Sequence, residues 1–269
     1  MNHKAESLTV TGQLMIRPCM QTPELSIIVP ARDEEDNIAP LLEELDKLPW
    51  PPSFAWEVIV IDDASADRTL ERLQRARKQH PELRVLTFLN HHGKSAALAA
   101  GISASKGSLI GMMDADLQNC PVDFLPMLEM LRLDPGLTLI QGSRTRRQDS
   151  WAKHQASRLG FFTRRIFLGD HIRDSGCALR LMRREQAAVL PLHYEGLHRF
   201  LPLLAELHGG KVREVPVSHR PRFSGHSKYR IGPFSRGVCG FLDLLAVRWM
   251  MWRQRSIVPD GNSRTTEVV

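Results

Sequence analysis

Apolar residues in the first half of the chain fall into five short blocks, at 25–30 (LSIIVP), 57–61 (EVIVI), 84–89 (RVLTFL), 109–113 (LIGMM) and 137–142 (LTLIQG). Continuous apolar runs of this length, bounded by turn residues, are what strands buried on both faces of a sheet require. The segments between them carry helical spacing. Ile38, Leu41, Leu42 and Leu45 form an apolar stripe, with Asp36 as a candidate cap and Pro49, Pro51 and Pro52 ending it. Further helices are expected from 66 or 67 to about 79, over the alanine-rich 94–105, and over 122–132, entered at Pro121. Strands alternating with helices predict an α/β fold with a mostly parallel sheet and right-handed crossovers.

After residue 150 the pattern changes. Residues 151–168 are basic and helical, 173–182 (RDSGCALRLM) form a loop and strand, 185–190 and 196–208 are helical, and 212–217 is a strand. A basic loop follows over 218–232. The last helix carries Phe241, Leu242, Leu245, Trp249 and Trp252, with Arg236, Arg248, Arg253 and Arg255 around them. It reads as an ordinary core helix or as an amphipathic helix lying in a membrane interface; the arginines and tryptophans favour the interface. The expected organisation is a tail over 1–23, one domain over 24–232, an amphipathic helix over 233–255 and a tail over 256–269.

Acidic residues follow the first, second and fourth strands, where open α/β sheets bind ligands. In LIGMMDADLQ, Asp114 and Asp116 are spaced to face one side of a chain end, with Gln118 as a third oxygen donor. Solvated acids at a strand end are the plain alternative; together they suit a hard divalent cation, Mg²⁺ or Mn²⁺, that would hold a diphosphate. Asp62, Asp63, Ser65 and Asp67 follow the second strand. One of these caps a helix, and the others can accept from a base N–H or ribose hydroxyls. Pro30, Arg32, Asp33 and Glu34 read alone as an ordinary loop with a charged first turn and, at this edge, as a candidate wall of a nucleotide pocket; Lys94, opening a helix, is a phosphate contact or a solvated lysine. The glycine spacing of a Walker motif is missing before Gly93 and Lys94. Arg144, Lys153 and Arg158 follow the fifth strand, and Arg220, Arg222, His226, Lys228 and Arg230 lie in the basic loop. Such loops suit closing over a phosphate, or simply solubilise a surface. His91, His92, His193 and His198 lack ligand spacing and read as structural or surface residues.

The 269 residues carry a net charge of +6 and a pI near 9.4, which points to anionic partners without choosing among them. Polynucleotide is disfavoured, because acids at the proposed cleft repel a phosphate backbone unless metal is bound. Four scattered cysteines suggest neither a zinc knuckle nor a disulfide framework. The N-terminus shows no apolar signal core, and no run is apolar enough for a spanning helix.

The segments SIIVPARDEEDNI, EVIVIDDASADRT, GKSAALAAGISASKG, MDADLQ, GSR, RDSGCALRLMRRE and HRFLPLLAELHGGKVREVPVSHRPRFSGHSKY resemble the family 2 glycosyltransferases of GT-A fold. The resemblance is nearest to the dolichol-phosphate mannosyltransferase-like branch and covers roughly 24–250. It implies that Pro30, Arg32, Glu34, Ile61 and Asp63 line the nucleotide pocket, with Lys94, Asp114 and Ala115 beside the donor. It implies that Asp114, Asp116 and Gln118 hold the metal, and that Arg144, Lys153, Ser157, Arg222 and Lys228 face donor or acceptor phosphates. Asp33 stands where the family usually has Asn, and the position of Arg32 is often aromatic or arginine, which leaves the nucleobase, GDP- or UDP-linked, open. Many close relatives add transmembrane helices that this chain does not match.

The implied reaction is inverting transfer of a sugar to a polyprenyl phosphate, undecaprenyl or dolichyl, by an enzyme peripheral on the cytoplasmic membrane face. A lipid phosphate is already anionic, so it needs cations more than a base. Asp116, Asp174 and Arg144 are the candidate catalytic residues. A hydroxyl acceptor would require a base, and Asp174 is the candidate. A non-catalytic basic binding module is the reading from a different class. A membrane-protein partner or a second copy of the chain is left open.

Overall fold

The computed structural model describes residues 22–144, 151–224 and 236–254, with the side chains of 151–159 and 236–238 outside that description. Among the described residues seven strands form one sheet: β1 (Leu25–Ala31), β2 (Trp56–Asp63), β3 (Leu83–Phe88), β4 (Leu109–Met112), β5 (Leu137–Arg144), β6 (Arg180–Arg183) and β7 (Lys211–Val217). Their order is β3-β2-β1-β4-β6-β5-β7. The five expected blocks are all strands. β6 runs antiparallel to both β4 and β5, so the sheet is mixed and the fourth and fifth strands are not neighbours. The helix after β5 does not carry the chain back across the sheet. Arg180 therefore enters beside Met112 and Gln141, at the end where β4 and β5 finish, and an antiparallel strand needs no crossover.

The helices are α1 (Ile38–Asp46), α2 (Thr69–Ala76), α3 (Lys94–Ala104), α4 (Phe124–Leu133), α5 (Trp151–Leu168), α6 (Arg184–Ala188), α7 (Leu201–Leu207) and α8 (Arg236–Arg253). Leu41, Leu42 and Leu45 of α1, Leu73 of α2 and Phe124, Leu128 and Leu131 of α4 cover one face of the sheet. Leu98 and Ile102 of α3, Leu201 and Leu204 of α7 and Leu244 and Val247 of α8 cover the other. The small residues of α3 are a packing requirement. A Cβ on Gly101 would lie 2.4 Å from Ile28 Cγ2 and 2.9 Å from Ile61 Cδ1, so α3 could not sit this close to β1 and β2.

A buried polar cluster joins the strands at their amino ends. Ser26 Oγ donates to Glu57 Oε1 at 2.6 Å, Arg84 Nη1 to Glu57 Oε2 at 2.7 Å, and the Lys106 N–H to Glu57 Oε1 at 2.7 Å. Burial alone would raise the Glu57 carboxyl; these donors more than offset it and hold it below its ordinary value.

Three expectations change locally. Asp36 does not cap α1: its carboxylate accepts from Ser224 Oγ at 2.9 Å, and Asn37 is already helical in φ and ψ, its carbonyl taking the first N–H. The second helix is shorter than expected: it starts at Thr69, whose N–H donates to Asp67 Oδ1 at 2.9 Å, and ends at Ala76. The segment 196–208 is split. Gly196 turns left-handed at φ +82°, residues 197–199 make one 3₁₀ turn, and Pro202 opens α7.

α5 and α8 pack on each other, with Phe167 and Phe241 edge to face at 6.4 Å between ring centroids. Phe162, Ile166, Leu242, Trp249 and Trp252 stay exposed on this pair. Among the described residues no helix is long and apolar enough to cross a membrane.

Candidate active site

β4 stops at Met112, and the chain turns through Ala115 and Asp116 to Leu117, whose φ is +60°. Ala115, expected beside the donor, turns its methyl into the core, where it is 2% exposed. Asp114 and Asp116 face out of the core, their side chains 35% and 8% exposed. Asp116 Oδ1 closes the turn by accepting the Gln118 N–H at 3.1 Å.

Cations of the chain itself sit on both acids. Lys94, the first residue of α3, pairs through Nζ with Asp114. Arg222 bridges two carboxylates, its Nη2 2.9 Å from Asp116 Oδ2 and its Nη1 3.2 Å from Glu34 Oε1. Burial pushes the Asp114 carboxyl up, but the charge and hydrogen bond of Lys94 outweigh it and bring it below its ordinary value. Asp116 is pushed up to about 6 by burial and by the charge of Asp114, with Arg222 opposing. Arg222 reaches Asp116 because residues 218–224 fold back over this edge. The Arg220 N–H donates to Gln118 O at 2.9 Å, and its guanidinium grips Glu44 of α1 at 2.9 and 2.7 Å. Arg222, expected at an acceptor phosphate, therefore lies on the acids.

The loops after β1 and β2 are stitched together. Asp33 N donates to Ser65 Oγ at 2.9 Å, Ala66 N to Asp33 Oδ1 at 2.6 Å and Glu34 N to Thr69 Oγ1 at 2.7 Å. Asp62 accepts from the N–H and hydroxyl of Ser65 and from Thr87 Oγ1. Asp63 accepts from His91 Nδ1 at 2.7 Å, the His92 N–H at 2.8 Å and the Gly93 N–H at 2.9 Å. Each uses three of about four acceptor positions on shaping loops, rather than standing open to a base or ribose. Ile61, expected at the nucleotide, is fully buried beneath α3, so its side chain supports the floor. Pro30 is half-buried at the end of β1, and Arg32 is exposed beside Asp33, 3.9 Å away.

At the end of β5, Arg144 and Asp174 form a bidentate pair. Nε lies 2.7 Å from Oδ2 and Nη2 2.8 Å from Oδ1, while the Arg144 N–H adds a third bond at 3.1 Å. A carboxylate held by a guanidinium on both oxygens is poorly placed to take a proton, so this geometry favours orientation of Arg144 over a base. Lys153 and Ser157 fall on α5 with side chains outside the described residues, and Lys228 lies outside them altogether.

Two residues of this edge carry no sequence signal. Arg180 of β6 is 2% exposed, donates to Gln141 Oε1 and Ser175 O, and is near enough to Asp114 for their charges to interact. His198 lies beside Lys94 and Asp114, read in sequence as structural or surface. Only the long-range path of 189–199 to this edge reveals it.

Among the described residues no group of three or more His, Cys, Asp or Glu side chains is gathered as a metal cage. Asp114 and Asp116 alone still fit Mg²⁺ or Mn²⁺. Such ions favour oxygen ligands and are commonly held by one or two carboxylates with substrate phosphates completing the shell. The like-charge strain that raises Asp116 is what a shared cation would relieve.

A family model described as glycosyl transferase family 2 matches residues 26–189, from β1 through α6 and across both acids of β4. The chain belongs to this family. Among its glycosyltransferase relatives, an undecaprenyl-phosphate 4-deoxy-4-formamido-L-arabinose transferase of Edwardsiella ictaluri is 34% identical over 76% of this chain and 62% of its own length. A dodecaprenyl-phosphate galacturonate synthase of Rhizobium johnstonii is 32% identical over 86% of this chain and 68% of its own. The chain thus spans about two thirds or less of the length of these relatives. In fold, it is similar to a Pyrobaculum calidifontis mannosyltransferase solved with GDP-mannose and Mn²⁺, at TM-score 0.55 and 20% identity over 73% of this chain and 55% of the other. It is also similar to S. aureus TarS bound to UDP-GlcNAc, at TM-score 0.60 and 16% identity over 85% of this chain and 66% of the other. The fold is the GT-A arrangement that the sequence segments implied.

Proposed function

We propose that the chain transfers a sugar, with inversion, from a nucleoside-diphosphate sugar to a polyprenyl phosphate at the cytoplasmic face of a membrane. One observation carries this reading beyond the family: Asp114 and Asp116 at the end of β4 share the sheet edge with Arg144, which Asp174 holds at the end of β5. The first pair suits a metal-bound diphosphate; the second presents an oriented cation to an anionic acceptor.

Asp114 and Asp116, with Gln118 as a third oxygen donor, would hold Mg²⁺ or Mn²⁺. When bound, such an ion neutralises charge on the leaving diphosphate. Pro30, Arg32 and Glu34 border the nucleotide on a loop edge that Asp63 shapes, with Lys94 released from Asp114 toward its phosphates. Arg144, with Lys153, Ser157 and Lys228, draws in the acceptor phosphate. One acceptor oxygen then attacks the anomeric carbon from the face opposite the diphosphate. A carbon–oxygen bond forms, the bond to the diphosphate breaks, and the nucleotide leaves with the electron pair. The acceptor oxygen is anionic beforehand, so no proton must be removed. A hydroxyl acceptor would need a base, and the bidentate hold of Arg144 on Asp174 argues against that carboxylate supplying it.

The exposed apolar face of α5 and α8 supports a peripheral membrane position. Trp249 and Trp252 are 60% and 76% exposed, Ile166 is 78% exposed, and Arg165, Arg248 and Arg253 share the two helices. Large apolar side chains with interspersed arginines suit an anionic bilayer surface.

Radiolabelled sugar transfer from UDP- and GDP-sugars to extracted polyprenyl phosphate, with Mn²⁺ or Mg²⁺, tests the reading. Transfer that is lost in Asp114→Ala with Asp116→Ala is the expected result. Absence of transfer from every donor, or full activity in the double variant, would refute it.

A further inference from the structure

His198 has no part in the roles above, yet it is built against them. Ser95, the second residue of α3, is 2% exposed and meets the imidazole with its hydroxyl, Oγ to Nδ1 at 2.8 Å. The same Oγ accepts the His198 backbone N–H at 3.4 Å. The hydroxyl can turn its hydrogen to Nδ1, and in that arrangement Nδ1 accepts and the ring proton sits on Nε2. Nε2 itself makes no hydrogen bond among the described residues.

Its place along the edge gives the ligand. Asp63 lies on β2, Asp114 follows β4, and Arg180 opens β6, so the edge runs from β2 through β1 and β4 to β6. If the nucleotide lies over β2 and β1 and its diphosphate over Asp114, the sugar falls beyond, toward β6. His198 feels the charges of both Asp114 and Arg180 there. We propose that His198, fixed by Ser95, donates an Nε2–H hydrogen bond to an oxygen of the donor sugar and helps select which sugar is accepted. Ser95 is the positioning residue. The inference rests on the cleft being a nucleotide-sugar site.

The support is also specific. Gly196 stands at φ +82° against α8, where a Cβ would lie 2.4 Å from Asp243 Oδ2. Arg199 Nη1 reaches Asp243 Oδ2 at 3.5 Å, so the carboxylate that borders Gly196 also pairs with Arg199 on the other side of His198.

Calorimetry with Mn²⁺ can compare UDP and GDP with UDP-glucose, UDP-N-acetylglucosamine and GDP-mannose. His198→Leu should weaken the preferred nucleotide sugar about 3- to 10-fold, the range of one neutral hydrogen bond, and leave the bare diphosphate unchanged. His198→Gln, which keeps a donor at similar reach, should recover part of the loss, and Ser95→Ala should shift affinity in the same direction as His198→Leu. In the wild-type protein, ¹⁵N spectra of labelled histidine should report the Nε2–H tautomer and a shift on adding nucleotide sugar but not nucleoside diphosphate. An Nδ1–H tautomer, equal losses for both ligands, or no change in His198→Leu would overturn the inference alone. Failure of the wild-type protein to bind UDP or GDP with Mn²⁺ would instead overturn the functional reading, and the inference with it.

Discussion

Replacing Asp174 by Asn separates the two roles open to that carboxylate. The pair it forms with Arg144 is largely enclosed, the side chains being 9% and 16% exposed, and three hydrogen bonds join the residues. Removing one partner of such a pair costs about 3–5 kcal/mol when burial is complete. Asn keeps one acceptor and some solvent reaches the site, so about 2–3 kcal/mol is expected from the charge-assisted bonds lost. For a chain of this size that is roughly 5–10 °C in Tm, read by circular dichroism. A cycle with Arg144→Gln should give a coupling above about 1 kcal/mol, since the residues are in contact. In transfer assays, Asp174→Asn should raise KM for polyprenyl phosphate with the pH profile of kcat unshifted, because the carboxylate orients Arg144 and moves no proton. An unchanged Tm, or abolished turnover with the fold intact and acceptor KM unaltered, would refute the reasoning.

The remaining predictions test the scaffold and the membrane face. Glu57 titrates below its usual 4.5 in the fold, so its stabilisation is full above that value and is lost as pH falls through the folded pKa. Glu57→Gln should therefore lower stability by about 1–2 kcal/mol at neutral pH, Arg84 being partly solvent-screened, and the difference in urea midpoint should vanish in acid. Gly196→Ala should cost about 1–2 kcal/mol, because an L residue there is strained by its left-handed φ and meets Asp243; an unaltered melting curve would count against that packing. Trp249→Glu with Trp252→Glu should abolish sedimentation with phosphatidylglycerol vesicles while changing stability by less than about 0.5 kcal/mol per site, as both are exposed.

Much of this fold was legible because strands buried on both faces announce themselves as short apolar blocks, and all five blocks of the first half became strands. The antiparallel β6 was visible as a strand within 173–182 but not in its direction, which depends on the chain staying at the carboxyl edge after β5. At the site, the acids of β4 stood out because they follow a buried strand at the sheet edge, with Gln118 two residues on. Asp62 and Asp63 were readable as acids but not in all their work: Ser65 beside Asp62 is a local donor, while Thr87, His91, His92 and Gly93 lie on other segments. The reach of Arg222 to Asp116, across 106 residues of sequence, and of His198 to Ser95, across 103, are tertiary facts without a local pattern. Ile61 and Ala115 show the converse. Their place in a motif suggested ligand contact, while strand alternation and turn geometry direct their side chains into the core.

The most direct test of the central claim compares two acceptors that differ by one phosphate, undecaprenyl phosphate and undecaprenol, with the same nucleotide sugar and Mn²⁺. Sugar transfer to the phosphate alone is the predicted result, since the cleft offers oriented cations and a carboxylate already occupied by Arg144. Comparable transfer to the alcohol, lost in Asp174→Asn, would contradict the account.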